Sequence, residues 1–135
     1  MNLTKEQLIE LQKQFIEFVE KVHDIMGDTK FSNYYKIPLN NCLSEYSGLA
    51  FEIRTKDFAC YSTDRTRSSY LWYDTYDMKS EVSYGDETLY RKYKKGNISY
   101  EKVVLDILKQ KEYIYRKLKE RIQHEQDYVN SILGI

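Results

Sequence analysis

Near its start the chain places apolar residues alternately three and four apart: Leu8, Leu11, Phe15, Phe18, Val22 and Ile25, with Ile9, Ile16, Val19 and Met26 widening the stripe. That spacing gathers them on one face of an α-helix. Thr4 and Gln7 stand just ahead of it in the S/T-x-x-E/Q arrangement of a capping box, Leu3 and Leu8 are placed as a hydrophobic staple, and Gly27 follows as the stop. Glu10, Lys13, Glu17, Glu20 and Lys21 fall on the polar side. An unbroken three-four rhythm predicts a second helix lying nearly parallel against this one.

Between 28 and 47 the pattern weakens. Pro38 predicts a break after Lys36 and Ile37, and Leu39, Leu43 and Tyr46 would support one or two helical turns. From Gly48 the period drops to two: Leu49, Phe51 and Ile53 alternate with Ala50, Glu52 and Arg54, as on a half-buried strand. Residues 55–57 read as a turn, 58–61 as a second strand and 64–68 as a polar loop. The aromatic run 70–76, with Tyr70, Trp72 and Tyr73, is the clearest strand of all. Two readings fit 80–96. Either 81–84 and 88–91 form a hairpin across Gly85-Asp86, or a strand at 81–84 precedes a short helix at 87–95 that Gly96 ends; the second is preferred.

A last helix is predicted from about Ser99. Val104, Leu108, Tyr115, Leu118, Ile122, Val129 and Ile132 run down one face, flanked by Ile107, Ile114 and Tyr128, while Lys111 and Glu125 occupy positions where the seam would want apolar groups. About 34 helical residues would span roughly 50 Å. A globule of 135 residues has a diameter under about 40 Å. The final turns, carrying Tyr128, Val129, Ile132 and Leu133, are therefore expected to overhang and to self-associate or meet another protein, unless the polar run 123–127 bends the tail back onto its own domain.

The architecture expected is one α+β domain over 1–135: an N-terminal helix and a long C-terminal helix packed together and against an antiparallel sheet of three or four strands. Composition narrows the chemistry. Lys and Arg total 21 and so do Asp and Glu, leaving no global field to draw the chain onto nucleic acid or a charged membrane. No apolar run is long enough to cross a bilayer, and the first residues lack the layout of a secretion signal, so a cytoplasmic protein with reduced Cys42 and Cys60 is expected. Two histidines, His23 and His124, and these two cysteines show no metal-ligand spacing, and none of the 5 glycines builds a phosphate-binding loop. Neither a cofactor, a metal nor a catalytic constellation is expected; Asp74, Cys60 and His23 are the residues an unfamiliar enzyme would have to use.

One local feature stands out. Tyr90, Arg91, Lys92, Tyr93, Lys94 and Lys95 open a stretch, 89–121, with eleven cations against four acids. Basic groups interleaved with aromatics fit an acidic protein surface or single-stranded nucleic acid. Tyrosine is also abundant, at 14 against 5 Phe and 1 Trp, and aromatic side chains anchor protein interfaces. The sequence thus favours a non-enzymatic protein-binding module, a homodimer acting by surface occlusion. A small inhibitor or regulator of the kind carried by phages and other mobile elements fits this profile. Binding of nucleic acid or a nucleotide through 90–121 is the alternative.

Overall fold

The structure, a computed structural model, describes residues 2–27, 34–39, 46–52, 57–64, 67–73, 81–84 and 99–135. The first helix, α1, runs Lys5–Met26 and is bounded as its sequence requires. The Gln7 amide donates to Thr4 Oγ1 at 3.1 Å and the Thr4 amide donates to Gln7 Oε1 at 2.9 Å, which satisfies two otherwise orphaned donors. Gly27, at φ +54°, ends the helix and donates its N–H to the His23 carbonyl at 2.8 Å.

Five strands follow: β1 (Tyr34–Pro38), β2 (Gly48–Glu52), β3 (Phe58–Asp64), β4 (Arg67–Tyr73) and β5 (Glu81–Tyr84). They form an antiparallel meander in the order β1-β2-β3-β4-β5. This is one strand more than the sequence delimits. The addition is β1, where Tyr35 and Ile37 are buried between outer positions Tyr34, Lys36 and Pro38, and where a break had been expected. Proline is compatible with a sheet at an edge, and β1 is the edge. Leu39 and Tyr46, expected to be helical, are not; Leu43 lies outside the described residues, as do 87–95. The aromatic strand also begins earlier than expected, at Arg67, paired with Asp64 across a hairpin.

One sheet face carries Tyr35, Ile37, Leu49, Phe51, Phe58, Cys60 and Leu71 into the main core; Ala50, Ala59 and Tyr61 form a smaller cluster, with Tyr70 packed on it. Gly48 pairs with Tyr61, and a Cβ there would strike the Ile37 carbonyl and the Tyr61 ring. The ring occupies the space that a side chain would take.

The C-terminal helical segment is two helices, α2 (Tyr100–Lys109) and α3 (Lys111–Leu133). The single continuous helix expected from the sequence is interrupted at Gln110, at φ −110° and ψ 14°. No glycine or proline marks the place. The interruption satisfies packing instead: Ile107 before it and Ile114 after it are both fully buried. Tyr100 meets Phe15 at 6.3 Å, and Leu105, Leu108 and Lys109 line a groove with Leu3, Gln7 and Leu11, so α2 runs back along α1. Then α3 turns to run with α1.

Replacing Gly48 by valine forces a branched side chain against a carbonyl and a ring. We expect Gly48→Val to lower unfolding stability by about 3 kcal/mol, read from urea denaturation midpoints.

Candidate functional site

The most conspicuous surface is the end of α3. Tyr115 stacks on Phe18 at 5.5 Å with the Lys21 ammonium 4.7 Å from its ring, and further along Ile122 lines a groove together with Ile25. Residue numbers rise together on both helices, so α1 and α3 are parallel. The first stops at Met26, near the level of Gln123; the second continues for about ten residues, or roughly 15 Å. The apolar stripe formed by Ile114, Leu118 and Ile122 continues onto this projection. There Tyr128, Ile132 and Leu133 are 64%, 65% and 64% exposed, and Ile135 is 88% exposed. Single exposed apolar residues are ordinary. These stand together over two turns and present roughly 500 Å² of apolar surface, at the upper end of what a monomer carries.

The projection is tied down at its root. The Tyr35 hydroxyl of β1 donates to Glu125 Oε2 at 2.7 Å. Glu125 therefore fills its place in the seam for a reason: it receives a buried phenol. Burial, then the hydrogen bond and the negative charge of Glu125, push the Tyr35 phenol well above its usual value, with Arg121 pulling weakly the other way. Burial, aided by Glu112 and Glu17, also raises Tyr115. An equivalent tie secures α2, where the Tyr46 hydroxyl donates to buried Asp106 Oδ2 at 2.9 Å.

Beside the projection lies an open groove of about 870 Å³ between α1 and α3. Ile25 and Ile122 give it an apolar lining, and its walls carry Glu17, Glu20 and Asp24 against Lys21 and Lys119, with Gln123 at its far end. Of the residues that the sequence places on the overhang, Tyr128, Ile132 and Leu133 are exposed and Val129 is half-buried; the groove was not foreseen. The signal for it was Glu17, Glu20 and Asp24 sharing one edge of α1 at helical spacing.

The aromatic residues expected to bind a partner divide. Tyr70 is half-buried, 6.1 Å from Tyr61, and the Lys36 ammonium lies 4.8 Å and 5.2 Å from the two rings. In the sheet register Trp72 pairs with Ala59 and Tyr73 with Phe58. Tyr90, Arg91, Lys92, Tyr93, Lys94 and Lys95 lie outside the described residues. On α3, part of the basic stretch is answered locally. Arg116 and Lys117 both approach Glu120, at 3.9 Å and 3.3 Å, and both lie over the Tyr113 ring. These exposed pairs add little stability, yet they reduce the net field that the helix presents.

Cys60 is fully buried within the core, His124 is exposed on α3, and among the described residues no three His, Cys, Asp or Glu side chains are grouped to hold a metal. Among those residues no helix is long and apolar enough to cross a membrane. No family model, curated protein or solved structure matches the chain, so geometry carries the functional reading.

The raised phenols set a pH dependence. A tyrosine harder to ionise folded than unfolded gives stability that is intact below about pH 10 and declines as pH rises toward the folded value. Urea midpoints are expected to fall above pH 10, and Tyr35→Phe is expected to make that fall shallower while lowering stability at neutral pH by roughly 1–3 kcal/mol through loss of the bond to Glu125.

Proposed function

We propose that this chain is a non-enzymatic protein-binding module that self-associates through the end of α3 and acts by occluding a partner's surface, in the manner of a small inhibitor or regulator. The observation carrying this reading is the apolar projection: Tyr128, Ile132 and Leu133 lie about two-thirds exposed on two turns of helix that extend past the end of α1. Folding such residues outward gains nothing for an isolated chain. Covering them in a complex recovers the hydrophobic contribution that the monomer forgoes. The exposed positions also leave the core untouched, so binding and folding are separable.

Size-exclusion chromatography with light scattering tests the reading. The expected result is a dimer at micromolar concentration that the double substitution Ile132→Asp, Leu133→Asp converts to a monomer with unchanged far-ultraviolet circular dichroism. A wild-type chain that stays monomeric up to about 100 µM, weaker than the affinity of about 1 µM that a useful complex needs, overturns self-association.

A further inference from the structure

The groove and the projection adjoin, and they carry charge of the same sign. Along the groove Glu17, Glu20 and Asp24 are exposed and, among the described residues, in no ion pair; Lys21 and Lys119 stand against them. Lys21 is already drawn over the Tyr115 ring at 4.7 Å. Beyond Gln123, α3 adds Glu125 and Asp127 and no lysine or arginine. Its last turn holds no basic residue to offset the partial negative charge of a helix C-terminus. Groove and projection together thus bring five carboxylates and two ammonium groups around an apolar line from Ile25 and Ile122 to Leu133. We infer that this surface receives a cationic amphipathic helix of a different protein, laid along the α1–α3 groove and onto the base of the projection. The inference rests on the protein-binding reading proposed above and names the chemistry of the partner.

Charge selects this occupant. A second copy's α3 end would bring two further carboxylates to a groove that already has three, so self-association is confined to the projection and leaves the groove open. Like charge also turns away nucleic acid and anionic lipid. Lysine or arginine on the partner meets Glu17, Glu20 and Asp24 at the rim, where such pairs govern partner choice and encounter rate more than affinity.

Shape selects a helix. From Ile122 to Leu133 the apolar line runs roughly 16 Å along α3. Anchors at i, i+4, i+7 and i+11 of a helix cover the same distance and face one way. The groove is open and shallow, so most of the covered area comes from the projection, and the total stays below the roughly 1,200 Å² that separates transient from lasting complexes. A contact of micromolar strength that salt weakens is what such a surface supports.

The probe is a synthetic peptide of about 18 residues with leucine at those four spacings and lysine and alanine elsewhere. Fluorescence anisotropy on the wild-type chain is expected to give a Kd of about 30 µM in roughly 50 mM salt, weakening about tenfold at roughly 300 mM. The same peptide with glutamate in place of lysine is expected not to bind, a comparison that needs no variant to fold. Glu17→Lys, Glu20→Lys and Asp24→Lys together are expected to weaken the lysine peptide about tenfold, three modest exposed pairs being lost at once. Glu6→Lys with Glu10→Lys, at the other end of α1, is expected to change it by less than about twofold. Equal binding of the two peptides, binding of neither up to about 1 mM, or equal losses from the two sets of substitutions overturns the inference. Light scattering on the same samples separates it from self-association: a dimer that ignores the lysine peptide leaves self-association standing, and a monomer that binds it overturns self-association alone.

Discussion

Everything in the fold is organised by two aromatic residues on one turn of α1. Phe15 contacts Phe18, Phe58 of β3 and Tyr100 of α2; Phe18 contacts Phe51 of β2 and Tyr115 of α3. The first is fully buried and the second nearly so. Sheet and C-terminal helices thus share a single aromatic cluster centred on α1, while α3 also meets β1 directly through the Tyr35–Glu125 bond. Truncating either ring would remove contacts to several elements at once, on the order of 3–5 kcal/mol for a buried phenylalanine. Parallel packing of α1 and α3 is a consequence. Once Tyr115 is stacked on Phe18, the common spacing of both stripes brings Ile122 alongside Ile25 one helical repeat later.

How far this could be read from residues alone depends on the range of the interactions involved. The capping box at Thr4 and the stop at Gly27 are decided within four residues and are legible outright. So are the strands at 48–52 and 81–84, whose partners are near in sequence, although the first, expected to be half-buried, is buried on both faces from Gly48 to Phe51. β1 was missed because Pro38 looks like a terminator when its neighbours are unknown; its tolerance of proline comes from lying at the edge, a property of the whole sheet. The corner at Gln110 is similar. Lys111 interrupts the apolar stripe there, but only the positions of α1 and the sheet show that the chain must turn to bury both Ile107 and Ile114.

The candidate site divides along the same line. Apolar residues at 128–133 follow from periodicity and length, and the exposure of Tyr128, Ile132 and Leu133 survives the corner because α3 alone is still longer than the stretch of α1 it accompanies. The groove beside them needed coordinates, since its two walls come from segments a hundred residues apart. Two carboxylates also changed meaning. In the sequence Asp106 is one of four acids in a basic stretch and Glu125 a charge where the seam would want an apolar group; each accepts a phenol hydrogen bond, from Tyr46 and Tyr35 respectively. Part of the tyrosine abundance therefore serves to attach the two C-terminal helices, since a phenol supplies core volume and a polar tip in one side chain.

These two ties differ in what lies beyond them. Asp106 sits inside α2, with buried neighbours on both sides, and its bond is one of many constraints. Among the described residues Glu125 makes the last hydrogen bond that ties α3 to another element, and past it Tyr128, Ile132 and Leu133 are open to solvent while Val129 is half-buried. A helix fixed at its root by a charge-assisted bond and free afterwards is held in direction without being covered. That lowers the entropy lost when another surface closes over it, because the orientation is set before the encounter. Rigidity at Glu125 and exposure beyond it are therefore complementary features of one binding element, and a projection that merely frayed would supply the apolar area without the fixed direction that makes it specific.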